Sequence, residues 1–242
     1  MTLGGKTAIV TGASSGIGKA TARRLVESGC NVVLAARREE RLNDLASELG
    51  DQALPVPTDI TSPADCAALA ARTVERFGDL DILVNNAGLG LFASIPEGNP
   101  DDWRTMFEVN VLGVLYITRA TVRYMLEDGS GDIVFISSIA GRRIPTPEST
   151  VYAATKHAVN AIAKGLRMDL TDQGIRSINV EPGLVRTEFP ERSHSSAEDF
   201  YENKGYAPLE AEDIANAVLY ALQQPARVSV NEVLVRSTEQ TS

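Results

Sequence analysis

A tyrosine and a lysine stand four residues apart in the stretch VYAATKHAV, at Tyr152 and Lys156. On a helix, residues at this spacing lie on one face and reach each other across a turn. An ammonium beside a phenol favours the phenolate and lowers the tyrosine pKa from about 10. The pair therefore predicts a tyrosine that acts as a general acid when a carbonyl is reduced and as a general base in reverse. An exposed pair on a solvent face is the alternative reading.

Two serines, Ser137 and Ser138, end the apolar run GDIVFISS, which predicts a buried strand. Open α/β sheets bind their ligands at the carboxyl ends of the strands. We expect the hydroxyl of Ser138 to hydrogen-bond a substrate oxygen, with Ser137 as the second candidate. An ordinary strand-end serine is the alternative.

A glycine-rich turn, TGASSGIG, follows the first apolar run and opens the first helical pattern. Glycines there allow a tight turn and a close approach to a pyrophosphate, and the helix N-terminus offers unpaired N–H groups. The spacing is GxxxGxG rather than GxGxxG, and a plain strand-to-helix turn is the alternative. The predicted cofactor contacts in this turn are Gly12, Ser14, Ser15, Gly16, Ile17 and Gly18.

Two arginines, Arg37 and Arg38, follow the second apolar run, and no acidic residue stands between this run and Glu39. An acid here would bind the ribose 2′-hydroxyl of NAD, whereas an arginine accommodates the 2′-phosphate of NADP. We therefore favour NADP(H) over NAD(H), with Arg37 as the stronger candidate. Two solvated arginines are the alternative.

Short β-branched runs alternate with longer stretches of helical period along the chain. This alternation predicts an α/β fold: a doubly wound Rossmann domain over residues 1–242, with a seven-stranded parallel sheet covered by helices on both faces. Helices are predicted at 17–28, 38–49, 63–77, 101–127, 151–171 and 210–223, and a last strand near 228–236. Two irregular segments, 139–150 and about 187–208, interrupt this alternation of strands and helices. The second is predicted to be a substrate loop.

The formal charge of −9 and a pI near 4.8 argue against nucleic acid and anionic membranes as partners, because the net field repels polyanions. Cys30 and Cys66 form neither a CxxC pair nor a metal-ligand spacing with the histidines, so we expect no disulfide and no metal site. Neither a signal-peptide pattern nor a stretch long enough to span a bilayer is present, which predicts a cytoplasmic protein.

An ordered set of motifs resembles the short-chain dehydrogenase/reductase family, in its short single-domain branch, over essentially the whole chain. The matching stretches are TGASSGIG at 11–18, Asp59, NNAG at 85–88, Asn110 in EVNVLG, SSIAG at 137–141, YAATK at 152–156 and EPGLVRT at 181–187. The resemblance implies that Ser138 orients the substrate oxygen, that Tyr152 transfers the proton, and that Lys156 binds the nicotinamide ribose and lowers the tyrosine pKa. It further implies that Asn110 holds a water that connects the lysine to solvent.

The resemblance also implies further cofactor contacts and a homotetramer or homodimer. The implied contacts are Asp59 and Ile60 at the adenine, Asn86, Ala87 and Gly88 at the adenosine ribose and pyrophosphate, and Pro182, Gly183, Val185 and Thr187 at the nicotinamide carboxamide. Two features depart from the family pattern. Ser15 stands where many NADP-preferring relatives carry Lys or Arg, and the interval from Ser138 to Tyr152 is one residue longer than usual.

The C-terminal stretch VNEVLVRSTEQ resembles the ending of NADP-dependent 3-hydroxy acid dehydrogenases and clavulanaldehyde-type reductases, which implies a small hydroxy or carbonyl substrate. Arg142, Arg143 and Arg186 are candidates for binding a carboxylate, and solvated surface arginines are the favoured alternative. Two other functions stay open: a 3-oxoacyl carrier-protein reductase, and a non-catalytic NADP-binding regulator. Candidates for an apolar pocket wall, or for ordinary core, are Leu89, Leu91, Phe92, Leu184, Phe189 and Tyr206.

Overall fold

The computed structural model of the protein describes residues 2–189 and 205–240. Seven strands occur in this part of the chain: β1 Thr7–Thr11, β2 Asn31–Ala36, β3 Ala53–Pro57, β4 Ile82–Asn85, β5 Gly131–Ile136, β6 Ile175–Pro182 and β7 Glu232–Val235. They form one parallel sheet in the order β3-β2-β1-β4-β5-β6-β7. The predicted Rossmann fold is confirmed.

Seven α-helices connect and cover the strands in the described residues. They are α1 Gly16–Glu27, α2 Glu39–Leu49, α3 Pro63–Phe77, α4 Pro100–Phe107, α5 Val114–Asp128, α6 Thr150–Leu170 and α7 Ala211–Leu222. No helix in the described ranges is both long and apolar enough to cross a membrane.

The core lies in two apolar layers, one on each face of the sheet. Alternate residues of the central strand β1 serve the two layers, because successive side chains point to opposite faces. Val10 packs with Leu25 of α1 and Val218 of α7, whereas Ile9 packs with Leu69 of α3 and Ile117 of α5. Burial on both faces explains why the strands are nearly continuous apolar runs.

The predicted helix at 101–127 is confirmed as a helical stretch, although its hydrogen-bonding pattern changes in the middle. A π-helical turn, Glu108–Gly113, separates α4 from α5. Gly113 passes so close to Ile60 that a Cβ would lie 2.9 Å from Ile60 Cδ1. Single π-helical turns inside helices are frequent at functional sites, and this one carries Asn110.

The last strand, Glu232–Val235, is shorter than the predicted 228–236. Arg176 binds backbone carbonyls of the segment that precedes it. Its guanidinium donates to the carbonyls of Gln224 and Val228 and forms an ion pair with Asp132. The chain from 224 to 228 is thereby held as a connection to β7. Residues 190–204 of the predicted substrate loop lie outside the described residues.

Candidate active site

A cleft of about 630 Å³ opens at the carboxyl ends of the central strands. Most of the predicted site residues line it, including Ser138, Tyr152 and Lys156. Among the predicted catalytic and cofactor-binding residues, Gly18 and Asn110 are the two that do not. The cleft size falls in the ordinary range for small-molecule and cofactor sites.

The glycine turn is packed so closely that side chains are excluded at two positions. Gly12 has a φ of 67°, and a Cβ there would lie 2.8 Å from Asn86 Nδ2. A Cβ on Gly18 would lie 2.4 Å from the Gly12 carbonyl oxygen. Gly18 therefore acts in packing behind the turn, whereas Gly12 lies at the cleft surface.

The N-terminus of α1 fits a cofactor pyrophosphate. Ser15, at its N-cap, makes no side-chain capping hydrogen bond, and no acidic residue occupies the first turn. Backbone N–H groups and the positive end of the helix dipole therefore face the cleft without a competing carboxylate from this helix.

Thr11 joins the glycine turn to the NNAG stretch, a role that the sequence analysis missed. Its hydroxyl donates to the Val84 carbonyl at 3.1 Å and accepts from the backbone N–H groups of Asn86 and Ala87 at 3.0 Å each. Asn86 returns a bond from Nδ2 to the Thr11 carbonyl at 2.9 Å. The hydroxyl thus fixes two walls of the cleft against each other.

Tyr152, Lys156 and Ser138 meet in the cleft below the end of β5. The Lys156 ammonium donates to the Ile136 carbonyl at 2.9 Å and lies 5.8 Å from the centroid of the Tyr152 ring. Ser138 begins a short 3₁₀ turn, Ile139–Gly141, and its hydroxyl accepts from the Ala140 N–H at 3.0 Å.

The predicted lowering of the tyrosine pKa is wrong for this arrangement. Burial raises the pKa of Tyr152 to about 12, although a hydrogen bond with Ser138 acts in the opposite direction. The rings of Phe92 and Phe189 pack edge-on against the phenol, with centroids at 5.5 and 5.6 Å. The prediction weighed the neighbouring charge but omitted the desolvation of the phenol.

Burial acts on the lysine as well. It lowers the pKa of Lys156 to about 8, because removal from water disfavours the charged amine. The side chain is only 6% exposed.

Asn110 lies behind the cleft wall and hydrogen-bonds residues on both sides of it. Its Oδ1 accepts from the Leu89 N–H at 2.9 Å, and its Nδ2 donates to the Leu89 carbonyl at 2.8 Å and to the Thr155 hydroxyl at 3.1 Å. The π-helical turn thereby holds the strand end after β4 to helix α6.

Both serines line the cleft, but the hydroxyl of Ser137 is engaged in a buried polar network. This hydroxyl donates to Asn160 Oδ1 at 2.6 Å. Asn160 and Asn179 in turn donate to the carboxylate of Glu181 at 2.8 and 2.9 Å. Glu181 is 1% exposed and forms an ion pair with Arg142.

The three arginines proposed for carboxylate binding have different surroundings. Arg142 binds Glu181 and Glu232, and Arg186 lies 3.4 Å from Glu210. Arg143 lines the cleft, five residues after Ser138, and no described carboxylate lies within 4.0 Å of it. The structure therefore separates Arg143 from the other two.

The two arginines after β2, Arg37 and Arg38, also differ in their contacts. Arg38 donates from Nε and Nη2 to Ser14 at 3.1 and 2.9 Å, and from Nη2 to Ser15 at 2.7 Å. Arg37 is exposed at the rim of the cleft and, after the stronger effect of Thr61 hydrogen bonds, helps to lower the pKa of Asp59.

Comparison with known proteins relates the chain to dehydrogenases and oxidoreductases. A family profile described as short chain dehydrogenase matches residues 6–198. An uncharacterized oxidoreductase of Staphylococcus epidermidis is 41% identical over 231 residues, which cover 96% of each chain.

Solved structures extend the likeness to the fold. The closed form of a serine dehydrogenase complexed with NADP+ has a TM-score of 0.90 and 35% identity, covering 95% of this chain and 94% of that one. A 3-ketoacyl-(acyl-carrier-protein) reductase of Brucella melitensis complexed with NADH has a TM-score of 0.88 and 30% identity, covering 97% and 98%.

Proposed function

The chain belongs to the short chain dehydrogenase family, and on that premise we propose that it is an NADP(H)-dependent oxidoreductase that interconverts a hydroxyl and a carbonyl group on a small molecule. The observation that carries the proposal is the meeting of Tyr152, Lys156 and Ser138 in one cleft with the glycine turn at the start of α1. A pure binding module needs no such group of proton-transferring side chains.

The nicotinamide cofactor, when bound, supplies or accepts the hydride. Ser138 Oγ hydrogen-bonds the substrate oxygen and orients it. Tyr152 Oη donates its proton to that oxygen during reduction and removes it during oxidation. With a pKa of about 12 the phenol is protonated at neutral pH, which suits the role of acid.

Lys156 stabilises the phenolate that proton transfer leaves behind. The amine is mainly protonated at pH 7, since its pKa is about 8. A positive charge near the ring favours the anionic tyrosine. Phe92 and Phe189 exclude water from the phenol, so this electrostatic effect acts in a medium of lower dielectric.

Preference for NADP(H) is supported by the positive charge at the end of β2. Arg38 is held against the glycine turn by Ser14 and Ser15, and Arg37 stands at the cleft rim. An arginine at the end of the second strand accommodates the 2′-phosphate of NADP in dinucleotide-binding folds, which supports this preference. NAD(H) is the less favoured cofactor.

We propose a small hydroxy or oxo acid as the substrate. Arg143 supports a substrate that carries a carboxylate, because this arginine lines the same cleft as Ser138 and Tyr152. It has no described acidic partner. Arginine binds carboxylates in a planar, two-point geometry. The aromatic rings of Phe92 and Phe189 supply an apolar wall.

We also propose that the chain is one catalytic domain and works as a cytoplasmic homotetramer or homodimer. Apolar side chains exposed on α4 to α6 support association: Phe107, Leu112, Leu115, Leu126 and Met168 are each at least 40% exposed. Analytical ultracentrifugation tests this state, and a monomer at micromolar concentration contradicts it.

A substrate panel tests the proposed function. Oxo acids, neutral aldehydes, sugars and a 3-oxoacyl carrier protein are each supplied with NADPH, and its absorbance is followed. We expect turnover of small free acids. Turnover of the carrier-protein substrate alone would identify the acyl reductase, and NADPH binding without any turnover would favour the regulator.

A further inference from the structure

The carboxylate of Glu188 bridges two arginines from the opposite side of the cleft. One oxygen accepts from Arg38 Nη1 at 2.9 Å, and both accept from Arg41 Nη1 at 2.7 and 2.8 Å. Glu188 follows β6, whereas Arg38 and Arg41 lie at the start of α2. Both Glu188 and Arg38 line the cleft, so the contact joins two walls of the proposed cofactor site.

The packing of Thr187 positions the carboxylate of Glu188, the next residue in the chain. Its side chain packs on the glycine turn so closely that a Cβ on Gly16 would lie 3.0 Å from Thr187 Cγ2. The next residue is thereby brought to Arg38, which the turn itself holds through Ser14 and Ser15.

Glu188 carries a full negative charge at neutral pH. Partial burial raises the pKa of Glu188, but the hydrogen bonds and charges of Arg38 and Arg41 outweigh this effect and hold the pKa below its usual value. An acidic side chain therefore neutralises part of the positive charge that supports NADP(H) binding.

The donors of Arg38 are nearly all engaged. A guanidinium has five N–H donors. Nε and both N–H groups of Nη2 serve Ser14 and Ser15, and Nη1 serves Glu188. A phosphate that binds Arg38 at two points must displace one of these partners, and the Glu188 pair is the exposed one, with 41% of the glutamate side chain accessible.

We propose that Glu188 competes with the 2′-phosphate of NADP(H) for Arg38 and Arg41, so that it weakens the binding of NADP(H) and leaves that of NAD(H) unchanged. This inference rests on the proposed function. A phosphate carries up to two charges and three acceptor oxygens, so it can displace a single carboxylate. Glu188 is thus a specificity-determining residue that makes the affinity for NADP(H) less different from the affinity for NAD(H).

Direct binding measurements test the inference without reference to turnover. The dissociation constants of NADPH and NADH are measured by calorimetry at one ionic strength for the wild type, Glu188→Gln and Glu48→Gln. Glu48 is the matched control, because it lies on α2, pairs with Arg23 at 2.7 Å and does not line the cleft. As a second probe, 2′,5′-ADP is compared with 5′-ADP.

We expect Glu188→Gln to bind NADPH and 2′,5′-ADP about three- to tenfold more tightly, with NADH and 5′-ADP unchanged. Glu48→Gln should change none of the four. Unchanged or weaker NADPH binding by Glu188→Gln overturns the inference, as does an equal gain for NADH. A wild type that binds only NADH, with NADPH binding gained in Glu188→Gln, supports the inference and contradicts the NADP preference.

Discussion

The ammonium of Lys156 lies 5.8 Å from the centroid of the Tyr152 ring and donates its hydrogen bond to the carbonyl of Ile136 at 2.9 Å. The lysine is therefore fixed by the end of β5, with its ammonium near the tyrosine ring. Since both groups are buried, each resists ionisation: the pKa of the phenol rises to about 12 and that of the amine falls to about 8.

Lys156→Met should stabilise the fold at neutral pH. The native state disfavours the protonated amine, so the wild type loses stability as the pH falls from the unfolded-state pKa of 10.5 to the native pKa of about 8, and the loss is constant below pH 8. We expect a gain of about 1–2 kcal/mol at pH 7, after subtraction of the lost hydrogen bond. Urea unfolding from pH 7 to 10 measures it, and a gain that grows with pH contradicts the account.

Glu181→Ala should destabilise the protein far more than Glu232→Ala, although both carboxylates pair with Arg142. Removal of Glu181 leaves buried N–H groups of Asn160 and Asn179 without their acceptor, whereas Glu232 is partly exposed. We expect losses of about 3 kcal/mol and under about 1 kcal/mol, respectively. Equal unfolding midpoints for the two variants would show that the network contributes little.

Arg37→Asp should move cofactor preference from NADP towards NAD. The exposed side chain makes no hydrogen bond or ion pair with a described residue and acts on Asp59 only through its charge, so binding of NADH should be retained. Arg38→Ala is the comparison: it also removes the bonds that hold Ser14 and Ser15, so both cofactors should bind more weakly. The ratio of kcat/KM for NADPH and NADH measures the shift, and an unchanged ratio in Arg37→Asp rejects Arg37 as a determinant.

Arg143→Ala should lower kcat/KM for an oxo acid by about ten- to a hundredfold and leave its methyl ester nearly unaffected, because only the acid pairs with the guanidinium. Arg186→Ala is the control, since this arginine lies near Glu210 and does not line the cleft. Equal losses for acid and ester would indicate a structural role for Arg143.

The local pattern of the chain was enough to predict the sheet, and the family resemblance of its motifs implied much of the cleft wall. Continuous apolar runs defined the strands, and the ordered motifs placed Ser138, Tyr152 and Lys156 at one edge. Contacts between distant parts of the chain were not predictable in this way. Glu188 meets Arg38 across 150 positions, and Glu181 meets Arg142 across 39.

Burial and backbone geometry account for the other differences. The tyrosine pKa depends on Phe92 and Phe189, whose approach follows from the tertiary fold. The π-helical turn at Asn110 continues the helix on both sides, so the pattern predicted the helical stretch but not the turn inside it. Arg37 and Arg38 look alike in sequence, and only the fold turns Arg38 towards the serines.

The central claim is that the hydroxyl of Tyr152 transfers the proton. The direct measurement compares single-turnover oxidation of NADPH by Tyr152→Phe with that by Tyr220→Phe, a control at a tyrosine that is 57% exposed. NADPH binding is measured in parallel. The account predicts that Tyr152→Phe binds NADPH as the wild type does and loses at least about a thousandfold in rate, while Tyr220→Phe is unchanged. Wild-type turnover by Tyr152→Phe would contradict it.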